Sequence, residues 1–304
     1  MGQRTWATLL SFVIIATIVI FNHSTSSQKV LLASNFALYD QLKHLAPKDQ
    51  KVSILVPFGQ DTHTFQATPK NVAMIMDATA FFYTSKGMDQ WVSKLDVLKD
   101  AKNAFDLSSS IKWIEDEHHH DEDEHNEDYA FDPHYWLDLD NQIAVTHAVA
   151  DKLTELFPHE KMAIKQRLET YLLALEQLKK NYKKRLTHCQ KEKLFVTHDA
   201  FAYLEQKSYF SVESVVGLAP QSQPNPARMQ EIIKMLQKSD VKTIFFESFI
   251  SDKIVTAIAN EVGIKVDVLD TLATISASQA KQSKTYSDLM QENLQKFAKA
   301  LECR

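Results

Sequence analysis

Short β-rich segments alternate with helix-forming segments along most of this chain, and this alternation restricts the fold more than any other feature. Strand-forming runs occur at residues 30–33, 52–56, 80–83, 194–197, 212–216, 243–246 and 265–269, and helical segments at 36–45, 69–77, 226–239 and 252–262. Strands that alternate with helices favour parallel sheets with helices on their faces. The sequence therefore predicts an α/β fold with two lobes, each a mainly parallel sheet flanked by helices.

A long amphipathic helix is predicted between the two halves. After Pro158 there is no Gly and no further Pro up to about residue 186, and Leu and Tyr recur at steps of three and four. We therefore divide the chain into a first lobe at 28–157, a linker helix at 158–188 and a second lobe at 189–304. One rigid helix between lobes limits hinge opening, so a stiff molecule is expected.

The first 27 residues have the pattern of a secretory signal peptide. Arg4 precedes an apolar run at 9–21, and a polar stretch follows at 22–29. The alternative is a retained membrane anchor, because the apolar run is close to the lower length limit for a span. No Cys follows the run, which disfavours a lipid anchor. The interpretation is an exported, periplasmic protein.

Charge and glycine content exclude several classes of function. The formal net charge is -5, and Lys and Arg are spread along the chain rather than clustered, which disfavours nucleic-acid binding. Only five glycines are present, so glycine-rich phosphate loops cannot form. Neither H-E-x-x-H nor G-x-S-x-G occurs, which disfavours a zinc peptidase or a serine hydrolase. A non-enzymatic protein is predicted.

The chain contains two cysteines, Cys189 and Cys303. An even pair in an oxidising compartment usually forms a disulfide, which is what we predict here. Two free thiols are the alternative.

Residues 115–128 form a loop of a different kind, with nine acidic side chains, four histidines, one Asn and no apolar residue. Such a segment cannot pack into a core. Its histidines are His118, His119, His120 and His125. We interpret it as an auxiliary, weaker zinc-collecting surface loop of the first lobe.

Four candidate metal ligands lie far apart in the sequence: His63, His134, His198 and Asp270. Three of them, all but His134, come after predicted strands. In open parallel sheets, ligands bind beyond the carboxyl ends of the strands, so two facing lobes would bring these side chains together. A single histidine at a strand end is more often structural, and only the joint placement favours a site. Three imidazoles and one carboxylate suit Zn²⁺ better than manganese or copper(I).

Carboxylates near these positions are candidates for holding the outer ring nitrogens of the histidines. They are Asp61, Asp132, Asp199 and Glu247.

Five motifs occur in an order that resembles a known family: GQDTH at 59–63, DPHYWLD at 132–138, THDAF at 197–201, FFESF at 245–249 and VDVLDTL at 266–272. The chain resembles the periplasmic zinc-binding components of ABC-type metal importers, the rigid-helix group of solute-binding proteins. The resemblance extends from the strand at Val30 to the terminal helix. It implies a monomer that captures zinc and delivers it to an inner-membrane ABC permease.

The resemblance also implies roles for single residues. It makes His63, His134 and His198 metal ligands, with Asp270 where many relatives supply a carboxylate. Manganese-type relatives have Glu at the third position, so His198 favours zinc. Thr62 stands where some zinc members carry a Glu, and LDTL replaces the more usual LDPLG. The fourth ligand is therefore either Asp270 or water.

Two other classes of function stay open on the sequence. An exported zinc-dependent hydrolase is the main alternative, because three histidines with an open position also form a catalytic site. A manganese- or iron-binding or adhesin-like relative is the other.

Overall fold

The computed structural model describes residues 30–99, 101–115, 130–207, 209–218, 226–247 and 253–304. The predicted signal peptide at 1–27 and nearly all of the loop at 115–128 lie outside these residues. No helix within the described ranges is both long enough and apolar enough to cross a membrane.

The first half of the chain forms a four-stranded parallel sheet in the order β2-β1-β3-β4. Its strands are β1 (Val30–Ala33), β2 (Lys51–Ile54), β3 (Ala80–Tyr83) and β4 (Ala104–Asp106), and its helices are α1 (Phe36–Leu45), α2 (Pro69–Asp77), α3 (Asp96–Lys99) and α4 (Leu139–Leu156). Short 3-10 turns lie at Gln90–Lys94, Ser108–Ser110, Tyr135–Leu137 and Pro158–Glu160.

The second half repeats this arrangement with a parallel sheet in the order β6-β5-β7-β8. The linker helix α5 (Lys161–Leu186) precedes it. The remaining elements are β5 (Lys193–His198), α6 (Ala202–Glu205), β6 (Ser211–Val216), α7 (Pro226–Lys238), β7 (Thr243–Glu247), α8 (Lys253–Val262), β8 (Lys265–Leu269), α9 (Ala277–Lys281) and α10 (Tyr286–Ala300). The predicted two-lobe α/β fold is confirmed.

Several element boundaries differ from the sequence prediction by one to three residues. The strand predicted to end at Val56 ends at Ile54, and the long helix begins at Lys161 rather than at Pro158. Proline has no backbone N–H and a fixed φ, so Pro158 starts a separate 3-10 turn before the α-helix begins.

Helix starts are fixed by side chains that accept the free N–H groups of the first turn. Asn35 accepts from Leu38 N–H at the start of α1. Thr68 precedes Pro69, the first residue of α2, and forms a capping box with Asn71. In this box each side chain accepts the backbone N–H of the other residue.

The largest apolar cluster is shared by both sheets and the linker helix. It contains Leu31 and Phe82 of the first sheet, Leu175 of α5, and Val196 and Phe245 of the second sheet. Two smaller clusters cover the other face of each sheet. The two lobes are therefore joined by a continuous core as well as by the helix.

Candidate metal centre

His63, His134 and His198 converge between the two sheets. Each offers a ring nitrogen, and these three atoms all lie within 4.8 Å of one another. The Nε2 atoms of His63 and His134 are 3.2 Å apart, and the His198 ring centroid lies 5.0 Å and 4.8 Å from theirs. Two of the rings are buried and that of His63 is partly exposed. The cluster is thus closed on most sides and open at His63.

The second sheet places its part of the site where the strand order reverses. His198 is the last residue of β5 and Glu247 is the last residue of β7, its neighbour in the sheet. The chain leaves β5 towards β6 on one side and returns to β7 on the other, which leaves a crevice at the carboxyl ends. The sequence prediction of a site beyond strand ends identified His198 for this reason.

The first half of the chain supplies the other two histidines from loops. His63 lies in the loop after β2, where its backbone N–H donates to Asp61 Oδ1 at 2.9 Å. His134 stands directly before the 3-10 turn Tyr135–Leu137, and its backbone N–H donates to Asp132 Oδ1 at 2.8 Å. In both loops, therefore, an aspartate two residues before the histidine stabilises the turn by accepting the backbone N–H of that histidine.

Two carboxylates hold the outer ring nitrogens. Asp132 Oδ1 is 2.8 Å from His134 Nδ1, and Glu247 Oε1 is 2.5 Å from His198 Nδ1. Because each carboxylate contacts Nδ1, the Nε2 atom of the same histidine is the ring nitrogen that can bind a metal ion, an arrangement that is common in protein metal sites. Of the other two predicted partners, Asp61 accepts a hydrogen bond from the backbone N–H of His63 rather than from a ring nitrogen. Within the described residues, Asp199 makes no hydrogen bond to a histidine ring.

The electrostatics of the three rings differ. Burial, with the neighbouring imidazoles of His198 and His134, holds the pKa of His63 well below its usual value. Burial alone would lower the pKa of His198, but the charge and hydrogen bond of Glu247 outweigh it and raise that pKa. The same pairing outweighs the effect of burial on Glu247 and lowers the pKa of its carboxyl. His63 therefore holds a proton less readily than a free imidazole does, and His198 holds one more readily.

The second ring nitrogen of His198 also lies beside a hydrogen-bond acceptor. His198 Nε2 lies 3.0 Å from the carbonyl oxygen of Leu218, so a protonated ring donates to Glu247 and Leu218 together. A metal ion that binds Nε2 displaces this proton and the Leu218 contact. Sequence reasoning missed Leu218, because a backbone carbonyl leaves no mark in the residue type.

Asp270 is not part of the histidine group. Its side chain is buried, and it accepts hydrogen bonds from Leu272 N–H at 2.9 Å and Gln279 Nε2 at 2.7 Å. Its own N–H donates to Asn293 Oδ1 at 3.0 Å. In this arrangement the carboxylate shapes the loop that follows β8.

That loop, residues 270–274, reaches across to the first half of the chain. The carbonyl of Thr271 accepts from Trp136 Nε1 at 2.7 Å, and the carbonyl of Ala273 accepts from Phe36 N–H at 3.2 Å. Leu272 between them is fully buried with φ +57, a conformation that costs a non-glycine residue about 1–3 kcal/mol. The cross-lobe bonds and the burial of Leu272 offset this cost.

The remaining predicted residues lie away from the histidines or outside the described residues. Cys189 and Cys303 are joined by a disulfide that ties the segment before β5 to the segment after α10. The auxiliary histidines His118, His119, His120 and His125 lie outside the described residues. The two ends of their segment are paired, since Glu115 forms an antiparallel bridge with Phe131.

Known proteins that are similar to this chain include components of zinc uptake. A model of the family ZnuA, zinc-uptake complex component A, periplasmic, matches residues 31–300. The chain is 29% identical over 281 residues to the zinc-binding lipoprotein AdcA of Streptococcus pneumoniae, which covers 90% of this chain and 56% of that protein. It is 27% identical over 268 residues to the high-affinity zinc uptake system protein ZnuA of Bacillus subtilis, covering 85% and 83%.

A solved structure agrees with the sequence comparisons. The Zn(II)-bound ZnuA-like domain of Streptococcus pneumoniae AdcA is similar with a TM-score of 0.76 at 25% identity, covering 90% of this chain and 99% of that domain. The chain spans little more than half the length of the full AdcA protein.

Proposed function

Because the chain belongs to the ZnuA family of zinc-uptake components, we propose that it is a solute-binding protein that captures Zn²⁺ outside the cytoplasm and delivers it to an inner-membrane ABC permease. Members of this family bind and deliver a solute rather than turn over a substrate, so a hydrolase is not favoured. The proposal includes export by the segment at 1–27, a periplasmic location and a monomeric state.

The observation that carries the proposal is the spacing of the imidazole nitrogens. Two nitrogens bound to one tetrahedral zinc at roughly 2.0–2.1 Å stand about 3.3 Å apart. The Nε2 atoms of His63 and His134 are 3.2 Å apart before any ion is considered. Three neutral nitrogen donors also favour zinc over manganese, which prefers oxygen.

In this proposal His63, His134 and His198 bind the ion through Nε2, and Asp132 and Glu247 hold two of the rings in the binding orientation. The fourth coordination position is taken by a water molecule or by Asp270. Binding by Asp270 requires its carboxylate to leave Leu272 N–H or Gln279, whereas a water molecule requires no rearrangement of that loop. The auxiliary histidines of residues 115–128 bind further zinc more weakly.

The test is metal competition on purified protein. Metal-free chain lacking residues 115–128 is equilibrated with equal zinc, manganese and iron, and the bound ions are counted. We expect one zinc per chain, which His198→Ala abolishes and His147→Ala, a change on the exposed face of α4, leaves intact. Bound manganese or iron instead of zinc, or full zinc binding by His198→Ala, overturns the proposal.

A further inference from the structure

A cationic groove lies between the last turns of the linker helix α5 and the helix α10. It has a volume of about 360 Å³, within the range of small-molecule sites. Its charged lining consists of Lys184 and Arg185 from α5 and Arg304 from the segment after α10. Three uncharged amides and one apolar side chain complete it: Asn181, Gln291, Gln295 and Leu294. No carboxylate side chain lines the groove.

The three cations have no side-chain hydrogen bond or ion pair with any residue in the described ranges, although acids are plentiful in a chain of net charge -5. Some other cations of the chain are paired with carboxylates, as in Lys193–Glu213, Arg228–Glu213, Lys207–Asp138 and Lys191–Glu302. Glu292, beside Gln291 in sequence, is itself paired with Lys284. Within the described residues, no carboxylate side chain pairs with the three cations of the groove.

The helix dipole explains only part of this charge. Lys183, Lys184 and Arg185 form the basic last turn of α5, where cations stabilise a helix end. Arg304 is not on that helix. It is brought to the groove by the Cys189–Cys303 disulfide and by its backbone N–H, which donates to His188 O at 3.1 Å. Two separate segments thus converge with the same charge.

We propose that this groove binds a phosphate-bearing anion. Arginine side chains bind phosphate oxygens through paired N–H donors, and the three amides supply neutral donors around them. The ligand is either a free phosphate compound or the phosphate of an anionic lipid headgroup, which present the same chemistry to the groove.

The groove is separate from the histidine cluster. It adjoins the disulfide, which precedes β5, whereas His198 is at the carboxyl end of that strand. Five residue steps along an extended strand amount to roughly 16 Å. Loss of anion binding and loss of zinc binding are therefore expected to be independent.

The test uses the metal-free chain, inorganic pyrophosphate measured by calorimetry, and vesicles of phosphatidylglycerol in phosphatidylcholine measured by co-sedimentation. The groove variant is Lys184→Gln/Arg185→Gln, and the matched control, with the same charge change on exposed sites, is Lys70→Gln/Lys165→Gln. Thermal melts establish that both are folded, and zinc affinity is measured for each.

We expect the groove variant to bind about tenfold or more weakly, because two charge-assisted contacts are lost, while the control binds as the wild type does. Arg304→Gln should also weaken binding, which a pure helix-dipole role of the α5 cations does not predict. Binding of pyrophosphate alone identifies a free anion as the ligand, and binding of anionic vesicles identifies a lipid headgroup. Absence of both, or equal loss in the groove and control variants, overturns the proposal.

Discussion

Replacing Glu247 by Gln tests whether the carboxylate behind His198 strengthens zinc binding. Glu247 ends β7 and is 9% exposed, so solvent screens its interaction with His198 weakly. Its Oε1 lies 2.5 Å from His198 Nδ1. Glutamine keeps the length of the side chain and an oxygen that can accept the same proton, but it removes the negative charge.

The expected magnitude follows from this contact. A hydrogen bond to a charged group contributes about 1.5–3 kcal/mol and a neutral one about 0.5–1.5 kcal/mol, so the change costs about 1–2 kcal/mol. That corresponds to a dissociation constant for zinc roughly 5 to 30 times higher. The loss should shrink as the pH falls, because Glu247 also raises the pKa of His198 and so favours the competing proton in the wild type.

The assay is competition against a zinc chelator of known affinity at pH 8 and pH 6, on chains lacking residues 115–128. Glu213→Gln is the matched control. Glu213 lies on β6, on the other side of β5 from Glu247, and pairs with Lys193 and Arg228 rather than with a histidine. Wild-type affinity of Glu247→Gln at pH 8, or an equal loss in Glu213→Gln, would refute the reasoning.

The remaining predictions concern pH, the disulfide, the acidic loop and metal-linked stability. Zinc affinity should fall with decreasing pH, because the raised pKa of His198 lets a proton compete for Nε2; titrations that give one affinity between about pH 5 and 7.5 would contradict this. Cys189→Ser/Cys303→Ser should lower the free energy of unfolding by about 2–5 kcal/mol in denaturant melts; an unchanged midpoint would mean that the bridge is not stabilising. Deleting residues 115–128 should remove only weak additional zinc sites in calorimetry; loss of the tight site would show that the loop supplies a primary ligand. Zinc at a thousandfold excess over its dissociation constant should stabilise the folded chain by about 4 kcal/mol in thermal melts, and a metal-free chain without a cooperative transition would contradict a preformed fold.

The positions of many strands along the chain were predictable from the sequence, because buried parallel strands are short apolar runs with clear boundaries. The runs at 30–33, 80–83 and 265–269 match β1, β3 and β8 in the structure. The strand β4 was missed. It has three residues, Ala104–Asp106, and is defined by its pairing with β3 rather than by a pattern of its own.

The helix α4 was missed for a different reason. Its buried positions include Asn141, Gln142 and Thr146, so its inward face is partly polar and lacks a clear apolar stripe. Those side chains bond across the packed helices, as Gln41 Nε2 does to Thr146 Oγ1 at 3.0 Å. Such pairs are visible only once the helices are placed together.

His63 and His198 could be grouped from sequence because strand ends of parallel sheets share an edge. His134 follows no strand and was grouped with them through the expected facing of the two lobes and the motif DPHYWLD. The loop at 270–274 could not be placed in this way. It contacts the first half mainly through the backbone carbonyls of Thr271 and Ala273, which any residue type would provide, and also through Thr274 Oγ1, which accepts from Gly59 N–H at 3.3 Å. Its one unusual backbone conformation is the positive φ of Leu272, and the residue type leucine does not predict a positive φ.

The core shared by both sheets and α5 has a practical consequence for measuring zinc with this protein. A sensor that reports the distance between dyes on the two halves depends on a large change in separation, and a shared apolar core resists such a change. Expressing either half alone would also expose apolar surface that the other half normally covers. A useful sensor would instead carry one environment-sensitive dye beside the partly exposed His63, where the arrival of the ion changes the local surroundings.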